Sequence, residues 1–131
     1  MGLSIHFLVM KGFNTVFLLV MSNAFMTFAW YGHLKLKTIS RFENLSLLSV
    51  IILSWGIAFF EYSLQVPANR IGFTGTGGPF SLVELKVIQE VISILVFTGF
   101  TLVIFKNEQF RLNHLIGFFF LILAVYFIFK K

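Results

Sequence analysis

Hydrophobic residues fill four long stretches of the chain, and short polar segments separate them. The stretches run roughly over residues 13–31, 45–66, 82–105 and 113–129. A helix needs about 20 mostly apolar residues to cross a bilayer. The apolar runs show no alternation with a period of two, and they are too long for barrel strands. The pattern predicts an all-α integral membrane protein with four transmembrane helices in a single domain, residues 1–131.

The first apolar stretch has residues typical of a membrane–water interface at both of its ends. Residues 3–10 are apolar, but no basic region precedes them and Lys11 follows them, which does not fit a signal peptide. We therefore predict a lead-in to the first helix, with Lys11 reaching back to the interface. The aromatic and basic residues between Trp30 and Lys37 are typical of a membrane–water boundary.

Capping and proline signals mark the next two helices. Asn44 or Ser46 is expected to cap the start of the second helix. Pro67 indicates its end, because the residue before a proline disfavours helical backbone. The segment Ser81–Glu84 has the spacing of a capping box and predicts the start of the third helix.

Residues 67–79 form the longest connection and contain four glycines. The stretch lacks the Gly-Lys-Ser/Thr ending of a phosphate-cradling loop, so a nucleotide site is not expected. We predict a flexible linker between the second and third helices.

Composition agrees with a membrane location and limits the chemistry. The chain is 58% hydrophobic and only 11% charged, too little polar material for the surface of a soluble domain. It has no cysteine, which excludes disulfides and thiolate sites. The net charge of +5 indicates contact with anionic lipid headgroups, and no basic stripe on a soluble face points to nucleic acid. The three histidines lack ligand spacing, so no metal, cofactor or enzymatic activity is expected.

The positive charges do not predict an orientation. With four spans both termini share one side, and each side carries five Lys or Arg residues. Either the chain inserts both ways and pairs as an antiparallel homodimer, or something other than charge fixes one orientation. Two inverted copies would enclose a central cavity that four helices alone cannot.

Two glutamates lie inside the predicted spans, where a charge costs about 2.5–3.5 kcal/mol or more. Glu61 shares a helix face with small and polar residues, and Glu90 is four residues after Lys86. Both are nearer the membrane face that holds the glycine-rich stretch. We predict one buried polar cluster, which either fixes the helices by ion pairs or binds a cation, a proton or a polar substrate. Its members are Glu61, Gln65, Asn69, Arg70, Lys86, Gln89 and Glu90.

Aromatic residues and one asparagine complete the candidate site. Asn23, Trp30 and Tyr31 lie along one side of the first span, together with Thr27. They serve either interhelical hydrogen bonding and interface anchoring or the wall of a substrate cavity. Trp55 lies near the middle of the second span, so it either packs in the bundle or lines a cavity, and Tyr62 follows on the same helix.

Several of these segments together resemble a known family. The chain resembles a four-helix domain of unknown function placed in the drug/metabolite transporter superfamily, over about residues 13–129. The resemblance implies a bundle like that of the small multidrug resistance proteins, which work as antiparallel dimers. Those exporters carry an essential glutamate in the first helix, where this chain has no acidic residue. The matching segments are 22–33, 54–62, 65–72 and 85–91.

These observations lead to one function with two alternatives. We expect a small secondary transporter in a bacterial-type inner membrane that acts as a homodimer on an unidentified small molecule, with membrane lipids as its surroundings. The alternatives are a non-transporting membrane assembly or lipid-organising subunit and, by analogy within the superfamily, a component of a lipid-carrier flippase.

Overall fold

Four long helices make up nearly the whole chain in the computed structural model, which describes residues 2–131 and side chains from Ser4 onwards. All four are long and apolar enough to cross a membrane, and the described residues form no strand. The predicted all-α, four-span architecture is confirmed. The helices are α1 (Gly2–Lys37), α2 (Leu47–Gly72), α3 (Leu82–Ile104) and α4 (Leu112–Phe129), with a short 3₁₀ helix at Thr74–Thr76.

Helix α1 is longer than predicted, because the apolar lead-in continues the helix without a break. It has 36 residues, which at about 1.5 Å per residue is roughly 54 Å, against a hydrocarbon thickness of about 30 Å. The helix begins at Gly2, so the prediction that it begins near residue 13 is wrong.

Helix α2 passes through Pro67 instead of ending there. Pro67 lies inside the helix, which continues to Gly72. Proline is tolerated in membrane helices because neighbouring groups can satisfy the backbone that it frees. The predicted end of the second helix at residue 66 is wrong for this reason.

The connection between α2 and α3 is a tight hydrogen-bonded turn and not the flexible linker that its glycines suggested. The Phe80 amide donates to the Gly72 carbonyl and the Thr74 amide donates to the Phe80 carbonyl, both at 2.8 Å. Lys11 reaches this turn from α1, and its Nζ donates to the Gly77 carbonyl at 3.0 Å. The end of α2, the start of α3 and the first part of α1 therefore meet at one place.

Two glycines make that meeting possible. A Cβ atom on Gly72 would lie 2.7 Å from the Thr15 side chain and 3.0 Å from Leu85. A Cβ atom on Gly78 would overlap the backbone of Ile71 and Gly72. The junction of α1, α2 and α3 needs residues without side chains at these two positions.

Side-chain caps fix the starts of α2 and α3. Ser46 accepts a hydrogen bond from the Ser49 amide at 3.1 Å, so it is the cap of α2 and Asn44 is not. Ser81 and Glu84 form the predicted capping box, with the Ser81 amide donating to Glu84 Oε2 at 2.8 Å.

Helix α1 is the centre of the bundle. It packs along α2 and against α3, whereas α4 packs mainly against α3 through few contacts. The core cluster contains Leu19 from α1, Ala68 from α2 and Ile92 from α3. Helix α4 contributes no buried residue. Most of the buried polar residues belong to α1 and α2, so polar groups are shielded best in the seam between these two helices.

Candidate functional site: a buried carboxyl group between α1 and α2

Glu61 is the buried acidic residue of the bundle. Its helix face carries Gln65, Ala68 and Gly72 at helical spacing, and this face is turned toward α1. The small side chains let the two helices approach closely. As a result only 2% of Glu61 is exposed, and its carboxyl group lies inside the seam.

Ser22 of α1 faces this carboxyl group across the seam. It is completely buried, and its hydroxyl oxygen lies 3.0 Å from Glu61 Oε1 and 3.0 Å from Gln65 Oε1. Ser22 therefore connects α1 to two polar residues that are one helical turn apart on α2.

The hydrogens available to Ser22, Glu61 and Gln65 limit the hydrogen bonds that these three side chains can form. A serine hydroxyl carries one hydrogen and can donate it to only one of the two oxygens. The second hydrogen must come from a Gln65 amide turned so that its nitrogen faces Ser22, or from a protonated Glu61. The other carboxyl oxygen of Glu61, Oε2, is buried without a hydrogen-bond partner among the described residues. A neutral carboxyl group satisfies this environment better than an ionised one.

The other buried polar residues of α1 bond within their own helix. Asn23 donates to the Leu19 carbonyl at 2.8 Å, and Thr27 donates to the Asn23 carbonyl at 2.7 Å. Thr15 donates to the Lys11 carbonyl in the same way. These bonds remove the cost of burying the donors, and they leave Ser22 as the α1 side chain that contacts Glu61.

Glu90 does not join Glu61. It lies on α3 at the open groove beside α4 and pairs with Lys86 at 2.6 Å, with both side chains more than half exposed. The reason is the orientation of α3, which turns the apolar face of Leu85, Ile88 and Ile92 toward α1. The predicted burial of Glu90 is wrong in this chain, and so is the single cluster that depended on it.

Four other members of the predicted cluster line a separate groove. The groove lies between the end of α2 and the start of α3 and has a volume of about 400 Å³. Its polar residues are Asn69, Arg70, Lys86 and Gln89. The sequence-predicted set therefore divides into a buried seam at Glu61 and Gln65 and an open groove near the membrane face.

The aromatic candidates lie on the outside of the chain. Trp55 is 75% exposed and Tyr62 is 60% exposed, so neither packs within the bundle nor encloses a cavity in a single chain. Trp30 is also exposed, and it contacts Tyr31, whose ring packs against Phe97 of α3 at 5.1 Å.

The histidines have local structural positions. His114 Nδ1 accepts a hydrogen bond from the Arg111 amide at 3.0 Å and so caps the start of α4. Within the part of the chain that the structure describes, no three His, Asp or Glu side chains lie close enough to hold a metal ion.

Ser22 was not among the residues singled out from sequence, although a signal for it exists. Thr15, Ser22 and Ala29 are small residues seven positions apart, and Leu19 lies between the first two. Such a repeat marks the side of a membrane helix that approaches its neighbours. All four are buried in the structure, so the repeat would have identified the packing face and placed Ser22 on it.

Comparison with known proteins gives one match. Residues 15–129 match the family described as "Putative member of DMT superfamily (DUF486)". No curated protein and no solved structure matches the chain. The match covers nearly all of the four-helix bundle, including the seam with Ser22 and Glu61. The chain therefore belongs to the DUF486 family of the DMT, or drug/metabolite transporter, superfamily.

Proposed function

We propose that this protein is a small secondary transporter in which Glu61 is the titrating group that couples transport to a proton or cation. One observation carries the proposal: a carboxyl group is buried between two membrane-spanning helices, and one of its oxygens has no hydrogen-bond partner among the residues that the structure describes. A buried polar group without a hydrogen-bond partner destabilises the fold. This cost alone does not distinguish a structural role in the seam from a role in a transport path. Family membership favours the transport path.

The substrate pathway would open along the seam between α1 and α2. In this conformation Glu61 is closed off, so access to a substrate requires the two helices to separate at Ser22. Alternating access of this kind is common when a site lies between packed elements near the middle of the membrane. Gln65 shares the Ser22 hydroxyl with Glu61, and Asn23 follows Ser22 on α1. We assign these two residues to substrate contact.

We propose that the working unit is a homodimer in an inner membrane. Trp55 and Tyr62 are exposed on α2, and α4 buries nothing in a single chain. A second copy against these surfaces would enclose the aromatic residues and form the cavity that one chain lacks. The nearly even distribution of Lys and Arg favours an antiparallel pair.

The test is flux through proteoliposomes that contain the full chain. We expect a proton gradient to drive accumulation of a probe from a panel of small cations and polar metabolites, beginning with ethidium. Glu61→Gln keeps the shape of the side chain and removes its titration, so flux should fall to the level of empty liposomes. Glu90→Gln is the matched control, because Glu90 is outside the seam, and it should retain flux.

The alternative function, a membrane assembly or lipid-organising subunit, gives a different result. In that case no probe moves with the unmodified chain, and Glu61→Gln changes the stability or association of the protein instead. Equal flux in Glu61→Gln and the unmodified chain would overturn the role of Glu61. A C-terminal topology reporter tests the dimer separately, since a uniform orientation contradicts the antiparallel pair.

A further inference from the structure

The groove between the end of α2 and the start of α3 has the composition of an anion site. It is lined by Arg70 and Lys86, one from each helix, and by the amide side chains of Asn69 and Gln89. The rest of its surface is apolar, and no acidic residue lines it. The apolar lining residues are Val66, Phe73, Leu82 and Leu85.

The two cations of this groove differ in how they are neutralised. Lys86 pairs with Glu90, which is one helical turn further along α3 and does not line the groove. Within the described residues the guanidinium group of Arg70 has no carboxylate partner. Arg70 therefore presents an uncompensated positive charge, and its planar group suits the oxygens of a phosphate.

The groove lies at the ends of two helices that can span a membrane, and the phosphates of a bilayer lie where such helices end. Arg70 is two residues before the end of α2, and Lys86 is four residues after the start of α3. At about 1.5 Å per residue both lie within roughly 6 Å of a helix end. The polar side chains thus lie near the membrane surface, and the apolar lining residues offer contact to a chain or ring attached to the anion.

The walls of the groove are held in place by the backbone. The hydrogen bonds of Phe80 with Gly72 and Thr74 fix the end of α2 to the entry of α3. The Thr76 hydroxyl also donates to the Arg70 carbonyl, which ties the last turn of α2 to the same connection. A fixed spacing of Arg70 and Lys86 lowers the ordering cost of binding a ligand between them.

We propose that this groove binds the phosphate group of an anionic amphiphile or of a free phosphate, with Arg70 as its main contact and Lys86 as a second contact weakened by Glu90. The site is separate from the Glu61 seam and does not depend on transport activity. Asn69 and Gln89 donate hydrogen bonds to the remaining phosphate oxygens, and the apolar lining residues contact the ligand body.

The experiment measures lipid binding to the full chain in detergent by native mass spectrometry. We expect phosphatidylglycerol to bind more tightly than phosphatidylcholine, because only the former carries net negative charge. Arg70→Gln should weaken phosphatidylglycerol binding by about tenfold, since it removes one near-surface charge and its paired hydrogen bonds. Arg41→Gln is the matched control on an exposed connection, and it should leave binding unchanged.

A substitution that should increase lipid affinity distinguishes binding at this groove from general attraction between a positive protein and a negative lipid. Glu90→Gln frees Lys86 and should tighten phosphatidylglycerol binding by about threefold. If Arg70→Gln does not fold, the double variant Lys86→Gln/Glu90→Gln provides the loss of charge and should bind more weakly than Glu90→Gln alone. Equal binding of the two lipids, or equal losses in Arg70→Gln and Arg41→Gln, would overturn the proposal.

Competition with inorganic phosphate identifies the source of the anion. Displacement of phosphatidylglycerol by millimolar phosphate supports a site for a free phosphate. Retention of the lipid under the same conditions supports a headgroup site, because contacts of the lipid chains then add to the affinity. The flux assay on Glu61→Gln is independent of both results.

Discussion

The seam between α1 and α2 and the surface shared by α3 and α4 are built in opposite ways. The seam is closely packed and encloses polar groups, with Ser22 and Glu61 in contact. The α3–α4 surface encloses an apolar groove of about 330 Å³ and leaves its acidic residue, Glu90, exposed. Both regions lie on helices apolar enough to span a membrane, and α3 and α4, which leave Glu90 exposed, have the higher mean hydropathy.

The difference shows that packing, and not hydropathy, decides which acidic residue is shielded. Helices in lipid gain little from burying apolar area, so they associate where small residues permit close contact. Helix α2 offers Ala68 and Gly72 to α1, whereas α4 presents large side chains such as Phe118 to α3. A polar residue next to the small ones becomes enclosed, and one next to the large ones does not.

The largest effect is expected at the helix junction that holds the seam closed. Gly78→Ala places a methyl group on the backbone of Gly72, and we expect a loss of about 3 kcal/mol in the free energy of unfolding. Unfolding by SDS titration in mixed micelles measures this loss. Gly117→Ala on α4 is the control, because its added methyl group meets nothing within 4 Å, and an equal loss there would contradict the contrast.

A second pair of variants compares the two regions directly. Leu19→Ala removes a fully buried side chain from the seam and should cost about 2 kcal/mol through the cavity that it leaves. Ile122→Ala on α4 removes a side chain that is 67% exposed and should change stability by less than about 0.5 kcal/mol. The same titration on monomeric protein tests both, and similar costs would show that α4 packs more tightly than described.

Removing the contact between the helices has a smaller effect. Ser22→Ala takes away the hydroxyl group that faces Glu61 and Gln65, and we expect a loss of about 1 kcal/mol, typical of interhelical hydrogen bonds in membranes. Ser63→Ala is the matched control, since the Ser63 hydroxyl is exposed and bonds to its own helix. The prediction fails if the two variants are equally stable.

The smallest effect is expected at the exposed ion pair. Glu90→Gln breaks the contact with Lys86 at the protein surface, and stability should change by at most about 0.5 kcal/mol. Unfolding curves that overlay those of the unmodified chain are the expected result. A loss larger than that of Ser22→Ala would place Glu90 in a structural role.

The four helices could be predicted from sequence because long apolar runs have few other solutions in a membrane. The end of α2 could not, because the rule for Pro67 is drawn from helices in water, and neighbouring groups in a membrane bundle can satisfy the backbone groups that proline frees. The ordered turn at Gly78 was also missed, since glycines signal flexibility and close backbone contact equally well.

The candidate site was predictable only in part. Spacing placed Glu61 and Gln65 on one face of α2, and the structure has them on one face. Spacing also placed Lys86 and Glu90 on one face of α3. It did not show whether this face packs against another helix or stays exposed. Ser22 was overlooked because a single serine in an apolar run carries little signal until its helix partner is known.

Pro67 divides α2 into a longer part before it and a short part after it. Proline has no amide hydrogen, so the Ser63 carbonyl loses its usual helical partner. The part before Pro67 carries Glu61 and packs against α1. The part after it, through Gly72, is bonded to the entry of α3. This second part also carries Arg70 and contacts α1 near Leu19 and Thr15. The charge at the membrane surface and the carboxyl group in the interior therefore lie on opposite sides of the turn of α2 that has one backbone hydrogen bond fewer.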